Sequence, residues 1–188
     1  MSRVVPATQE QYEPLFGADA PLNLRIHAHR PELASAFLAL ATATMFGDGE
    51  LPPRLVELVR LRIAFHNQCR SCMAIRYSPG AEAGVDENLV CSLERPEEAP
   101  DLTEAERAAL SYADMLATNH LAVSDETYDA LRLHFTEPQI VELGVLCALC
   151  VGFGRLDATW DMVDELPERF RTRGVTITPW GEGDLVHA

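Results

Sequence analysis

The chain has 188 residues, of which 47% are hydrophobic and 23% are charged, and its formal net charge at pH 7 is −14. This length is typical of a single domain with a sizeable core, and the composition is that of an ordinary soluble protein rather than a disordered one. Nucleic acids and anionic membranes bind clustered Lys and Arg, so the negative charge argues against both as partners. The longest apolar run, Val145 to Phe153, is too short to span a bilayer.

The cysteine content indicates the compartment. There are five cysteines, an odd number, and the N-terminus has no apolar run behind a basic start. This pattern fits a reducing cytoplasm better than a secreted disulfide scaffold. We therefore expect a cytoplasmic protein.

The predicted elements are helical almost throughout, because apolar residues recur at helical spacing behind recognisable capping residues. In the first half we expect helices at Gln9–Phe16 (capped by Thr8), at Pro31–Phe46 (ended by Gly47-Asp48-Gly49) and from Pro52-Pro53 to His66, with a helix or turn at Leu22–Ala28. A break is predicted at Ser78-Pro79-Gly80. Further helices are predicted at Asp86–Ser92, Thr103–Asn119, Ser124–His134, Thr136–Val151 and 155–165, with an extended piece at Val175–Thr178.

The sequence Cys69-Arg70-Ser71-Cys72 carries the most informative chemistry. His66-Asn67-Gln68 interrupts the preceding apolar run, so both cysteines are expected in the first turn of a new helix. Backbone N–H groups at a helix N-terminus stabilise a thiolate. Arg76 follows Cys72 by four residues and would add a fixed positive charge on the same helical face. We therefore predict a thiol redox site with Cys72 as the nucleophile and Cys69 as the resolving thiol.

Glu57 is the predicted acid–base partner of this site. If 54–66 and 69–77 form an antiparallel helix pair hinged at 66–68, Glu57 and Arg76 face each other. A carboxylate placed there would suit a proton relay.

These residues resemble the active-site pattern of the alkylhydroperoxidase D branch of the carboxymuconolactone decarboxylase family, which is Glu-x11-Cys-x-x-Cys-x3-His. The resemblance implies that Cys72 is the peroxidatic thiol, Cys69 the resolving thiol and Glu57 a member of the proton relay. Arg76 stands where the family usually has histidine, and an arginine does not shuttle protons near neutral pH. His66, three residues before Cys69, is the nearest candidate to replace that histidine.

An internal repeat supports the same resemblance. Pro53-Arg-Leu-Val-Glu-Leu recurs at Pro138-Gln-Ile-Val-Glu-Leu, at an offset of 85 residues, and predicts two related helical-hairpin units. In the second copy the cysteine positions fall on Gly154 and Asp157. The expected fold is an all-α, alkylhydroperoxidase D-like bundle in one domain, with a core at about 30–165. An irregular tail at 167–188 could wrap onto a neighbouring subunit.

The resemblance implies a thiol-dependent peroxidase. The Cys72 thiolate would reduce a hydroperoxide, with a proton supplied through Glu57 or a water, and Cys69 would close a disulfide. An external dithiol, lipoyl-bearing or thioredoxin-like, would then reduce that disulfide. No cofactor or metal is expected. A homo-oligomer, a trimer or a multiple of it, is expected from the family.

Three alternatives stay open at this point. A lactone decarboxylase of the other family branch would use acid–base residues and would not need the thiols. A second Cys-x-x-Cys, Cys147 and Cys150, could complete a four-cysteine zinc site, although its apolar, mid-helix setting favours simple burial. A non-enzymatic oligomeric protein would have thiols of ordinary reactivity. The remaining thiol, Cys91, is expected to be partly buried.

Overall fold

The computed structural model describes residues 1–47 and 49–188, so Asp48 of the predicted turn lies outside the described residues. The described residues are almost entirely helical, and the all-α prediction is confirmed. The helices are α1 (Gln9–Phe16), α2 (Leu22–His27), α3 (Pro31–Ala41, continued by a π turn at Thr42–Phe46), α4 (Pro53–Asn67), α5 (Arg70–Ala74), α6 (Ser78–Glu82), α7 (Glu87–Cys91), α8 (Glu104–Thr118), α9 (Asp125–Arg132) and α10 (Glu137–Trp160). A short parallel pair joins β1 (Ile75–Arg76) to β2 (Val186–His187).

Helices α4, α8 and α10 form the centre of the bundle. Local signals determine where they begin: prolines open α4, while the capping-box pairs Thr103/Glu106 and Thr136/Gln139 open α8 and α10. Their facing sides share one core, whose fully buried members include Leu58, Leu61, Ile63, Leu110, Leu143 and Leu146. This core holds α4 rigidly, and α4 leads directly into the cysteine pair.

Helix α10 differs from the prediction. A break after Val151 was expected from the repeat, but α10 continues through 24 residues to Trp160, nine more than α4 has. The stretch after Val151 has no proline, and its Gly154 lies against α4, where a Cβ would come within 2.5 Å of Asn67 Nδ2. The predicted break is wrong because α10 packs so closely against α4 that this position has no room for a Cβ. Glycine therefore fits inside the helix here. As a result, Asp157 lies on α10 itself.

By length and composition, α10 is long and apolar enough to cross a membrane. The core helix of a soluble protein passes the same test, and α10 packs against both α4 and α8. The expectation of no membrane partner stays a prediction.

The C-terminal tail packs on its own chain. Gln68 exchanges two hydrogen bonds with Ile177, β2 pairs with β1, and Phe170 is fully buried against Met73 and other residues of a second, smaller hydrophobic cluster. The tail therefore covers the region of α5, where the sequence had suggested a neighbouring subunit.

Three local predictions are also corrected. The predicted break at Ser78 is the short helix α6, because Pro79 stands in its first turn, where proline is tolerated. The extended piece predicted at Val175–Thr178 forms no strand. Cys91 is exposed at the end of α7.

Candidate active site

Cys69 and Cys72 form a disulfide at the start of α5. Gln68, in the left-handed region with φ 50°, ends α4 and turns the chain. Cys69 is then the N-cap of α5, and its Sγ accepts a hydrogen bond from Cys72 N at 3.3 Å. The predicted position of both cysteines at a helix start is confirmed, and this N–H would stabilise a thiolate formed at Cys69 on reduction.

The two sulfurs have different surroundings. Cys69 is fully buried, whereas Cys72 is partly exposed and lines a cavity of about 250 Å³. The cavity walls are mainly apolar and include Phe37, Met45 and Phe153. A small molecule in this cavity would therefore meet Cys72, with Cys69 behind it.

Glu57 pairs with Arg60, one turn along α4, and not with Arg76 as expected. The two side chains are 3–5% exposed and are joined by two hydrogen bonds of 2.6 and 2.8 Å. Spacing i, i+3 on one helix allows this bidentate geometry. Gly80 closes the other side of Glu57, since a Cβ there would lie 2.6 Å from Glu57 Cγ.

Arg60 also fixes the backbone of the cysteine helix. Its guanidinium donates to Cys72 O at 2.6 Å and to Ile75 O at 2.8 Å, and it lies 4.8 Å from the ring centre of Tyr77. Burial alone would lower the pKa of Arg60, but the Glu57 carboxylate outweighs burial and raises it above its usual range. Arg60 and Tyr77 both line the cavity that holds Cys72. The fixed positive charge in the wall of this cavity is therefore that of Arg60.

Arg76 lies in the extended segment beyond α5. The expectation of a shared helical face with Cys72 was wrong, because α5 ends at Ala74. The Arg76 guanidinium donates to Glu87 at 2.6 Å, to Pro179 O at 2.7 Å and to Met73 O at 2.9 Å. Arg76 is thus 4% exposed and joins the tail to the end of α5.

Replacing Arg76 with methionine should loosen the tail. The change leaves Pro179 O and Met73 O without their buried donor, and we expect a loss of about 2 kcal/mol in the free energy of unfolding. Limited proteolysis should cut faster within 170–188, while alkylation of reduced Cys72 keeps its rate. Arg95→Met, at an exposed arginine, is the matched control. Slower alkylation of Cys72 would instead restore the predicted electrostatic role of Arg76.

His66 is directed towards α8. Its Nε2 lies 2.7 Å from Asp114 Oδ1, and the same carboxylate accepts two hydrogen bonds from Arg62. Burial alone would raise the pKa of Asp114, but His66 and Arg62 outweigh burial and lower it. His66 does not line the cavity of Cys72. The structure thus brings Glu57 close to the cysteine helix through Arg60 and places His66 in a separate cluster.

Asp157 also lies beside the cysteine pair, although the sequence motifs did not predict it as a site residue. One of its carboxylate oxygens and the two sulfurs of Cys69 and Cys72 all lie within 4.8 Å of one another. The residue is 9% exposed, and its Oδ1 has no hydrogen-bond partner among the described residues. Burial raises the pKa of Asp157 to about 7. The repeat offered a signal, since Asp157 is the counterpart of Cys72 in the second copy.

The same three groups are of types that also bind metals. The sulfurs are joined to each other here, however, and a thiolate is the form that binds a metal. Cys147 and Cys150 do not belong to this group. Burial raises the pKa of Cys147 above its usual range and that of Cys150 to about 12, as expected of small buried side chains. Within the described residues, the four-cysteine zinc arrangement is not formed.

Comparison with known sequences finds a family match over part of the chain. Residues 31–115, which include Glu57 and both cysteines, match the carboxymuconolactone decarboxylase family. The chain is thus similar to this family over 85 of its 188 residues. The matched segment of the carboxymuconolactone decarboxylase family ends before α10, so Asp157 lies outside it.

Similar proteins support an alkylhydroperoxidase D-like fold of this family. An uncharacterized protein of Mycobacterium tuberculosis is 38% identical over 95 residues, which are 50% of this chain but only 33% of that protein's length. The crystal structure of an alkylhydroperoxidase AhpD core, an uncharacterized peroxidase-related protein from Ralstonia eutropha JMP134, is 25% identical and covers 79% of this chain and 78% of that one, with a TM-score of 0.63. The debrominase Bmp8 is 22% identical over 91% of this chain and 95% of its own, with a TM-score of 0.72. At this identity Bmp8 supports the fold alone.

Proposed function

We propose that the protein is a thiol-dependent peroxidase in which Cys72 reduces a hydroperoxide and Cys69 closes the disulfide. The observation that carries this proposal is the pairing of a cavity-lining sulfur with a buried sulfur that is already bonded to it. The likeness of the fold to that of a peroxidase-related protein with an alkylhydroperoxidase AhpD core supports this proposal.

The reaction has two chemical steps. The Cys72 thiolate attacks the distal oxygen of the hydroperoxide, the O–O bond breaks, and an alkoxide leaves and takes up a proton to become the alcohol. Cys72 is now a sulfenic acid. The Cys69 sulfur attacks it, water leaves with the Cys69 proton, and the disulfide of the structure is formed.

An external dithiol restores the thiols. Because Cys69 is fully buried, the dithiol must attack the sulfur of Cys72 first. A lipoyl-bearing or a thioredoxin-like donor has the required chemistry. Assembly into a homo-oligomer and a cytoplasmic location are further parts of this proposal, and sedimentation of the purified chain tests the first.

The test is peptide mapping of the fully reduced protein before and after one equivalent of cumene hydroperoxide. We expect a Cys69–Cys72 disulfide in an amount that matches the peroxide lost. Intact peroxide beside unreacted thiols would contradict the peroxidase function. Cys91, exposed and unpaired by disulfide, serves as the internal control, since it should stay reduced.

The cavity favours a second candidate, reductive dehalogenation. Phe37, Phe153 and Tyr77 line it beside Cys72, and aromatic walls suit an aromatic ring. A variant of the debrominase Bmp8, which shares this fold, has been crystallised in complex with 2,3,4-tribromopyrrole. Two thiols would supply two electrons and two protons, giving the disulfide, the ring with hydrogen in place of the halogen, a halide ion and one released proton. Release of bromide from 2,3,4-tribromopyrrole, with no peroxide consumption, would favour this candidate.

A further inference from the structure

Asp157 separates two cavities of different character. The apolar cavity holds Cys72, and a second cavity of about 200 Å³ is lined by polar groups that include Arg3, Arg70 and Arg173. Asp157, Ser71 and Met162 line both. The carboxyl group therefore stands between the reacting sulfur and a polar space that is suited to water.

The packing of α10 does not explain an aspartate at this position. A carboxyl that is nine-tenths buried with an unpartnered oxygen costs stability, and an apolar side chain would avoid that cost. Destabilising groups of this kind concentrate at functional sites. Its distance from both sulfurs, below 4.8 Å, places it where a proton must move.

The other residues that were candidates for proton transfer are hydrogen-bonded to groups outside the cysteine pair. Glu57 holds both of its carboxylate oxygens on Arg60, and His66 is bonded to Asp114. Arg76 donates its hydrogen bonds to Glu87, Pro179 O and Met73 O.

We propose that Asp157 is the proton-transfer residue of the Cys69–Cys72 pair. This inference rests on the proposed peroxidase function and extends it. The Asp157 carboxyl donates its proton to the alkoxide that leaves when Cys72 becomes a sulfenic acid. The resulting carboxylate then takes the proton of the Cys69 thiol as that sulfur attacks and passes it to the leaving hydroxide, giving water.

Reduction completes the proton balance. The dithiol attacks Cys72, and Cys69 leaves as a thiolate and is protonated through Asp157. The second sulfur of the dithiol then releases Cys72 as a thiolate. Of the two protons of the dithiol, one ends on Cys69 and the other on Asp157, which is ready for the next turnover.

The charges around Asp157 suit this role. Arg60 of α4 and Tyr77, after β1, line the apolar cavity with Asp157, and Arg70 of α5 lines the polar one. The other titratable groups that line the two cavities are Arg3, Cys150, Asp161, Glu165 and Arg173. Burial brings the pKa of Asp157 to about 7, so the proton can be given and retaken near neutral pH. A thiolate at Cys72 would favour the protonated carboxyl further, because two adjacent negative charges repel.

The test compares Asp157→Asn with wild type in two reactions. Asparagine keeps the size but carries no transferable proton, and we expect peroxide consumption in a single turnover to fall about 100-fold. The wild-type rate should decline above about pH 7, and this decline should be absent in Asp157→Asn. Reduction of the disulfide by dithiothreitol should also slow, by about 10-fold or more. Asp157→Glu should recover part of both rates.

Glu137→Gln is the control, since it removes an exposed carboxylate from the same helix. Rates for Asp157→Asn equal to wild type in both reactions would overturn the proposal. If wild type consumes no peroxide but Asp157→Asn still slows reduction by dithiothreitol, the peroxidase function fails and the proton-transfer role stands.

A stability measurement checks the burial argument separately. The pKa of Asp157 is higher in the folded than in the unfolded protein, so its contribution is most favourable below about pH 4 and is lost as the pH rises through about 7. Asp157→Asn should therefore melt about 5 °C above wild type at pH 8, with little difference near pH 4. A lower melting temperature at pH 8 would show that the carboxyl has a stabilising role and would overturn the proposal.

Discussion

Replacing Cys72 with serine is expected to reduce peroxide consumption by at least about 1000-fold, because a serine hydroxyl is not deprotonated at neutral pH and cannot replace the thiolate. Cys69→Ser should behave differently. It should consume one equivalent of peroxide and then stop, since the sulfenic acid on Cys72 lacks its resolving thiol. Stopped-flow measurement of peroxide loss, with trapping of the sulfenic acid by dimedone, distinguishes the two variants.

Cys91→Ser is the control for both replacements, since Cys91 is exposed on α7 and outside the site. It should keep wild-type kinetics. The opposite pattern, with first turnover lost in Cys69→Ser and kept in Cys72→Ser, would exchange the roles of the two thiols. Unchanged peroxide consumption in both variants would contradict a role of either thiol in the reaction.

Replacing Glu57 with glutamine is expected to lower the free energy of unfolding by about 3–5 kcal/mol. The reason is that the charge of Arg60, whose side chain is 5% exposed, would stay buried without its counter-ion. The same change should slow the thiol reaction, since Arg60 positions the backbone of Cys72. Urea denaturation measures the first effect and single-turnover kinetics the second.

Two comparisons make this prediction specific. Glu137→Gln breaks an exposed, solvent-screened pair with Arg132 and should leave the free energy of unfolding almost unchanged. The double variant Glu57→Gln/Arg60→Met should be less destabilised than the sum of its single variants, because it removes both buried charges. A decrease of less than about 1 kcal/mol in the free energy of unfolding of Glu57→Gln would contradict a buried ion pair between Glu57 and Arg60.

The sequence by itself determined the starts of the main helices and the position of the cysteine pair. The capping boxes that open α8 and α10 use hydrogen bonds between residues three positions apart, and so does the bond from Cys72 N to Cys69 Sγ. Contacts over three or four residues are fixed once a short segment becomes helical, so residue types are enough to predict them.

The tertiary structure decided which side chains meet. The partner of Glu57, the placement of His66 against Asp114 and the return of the tail to Arg76 depend on the rotation, length and packing of whole helices. Asp157 lies 85 residues beyond Cys72 in the chain, and it reaches the sulfurs only because α10 continues for two more turns beside α4 and α5. No local pattern fixes such a contact, because it arises from the burial of apolar faces along the entire length of the helices.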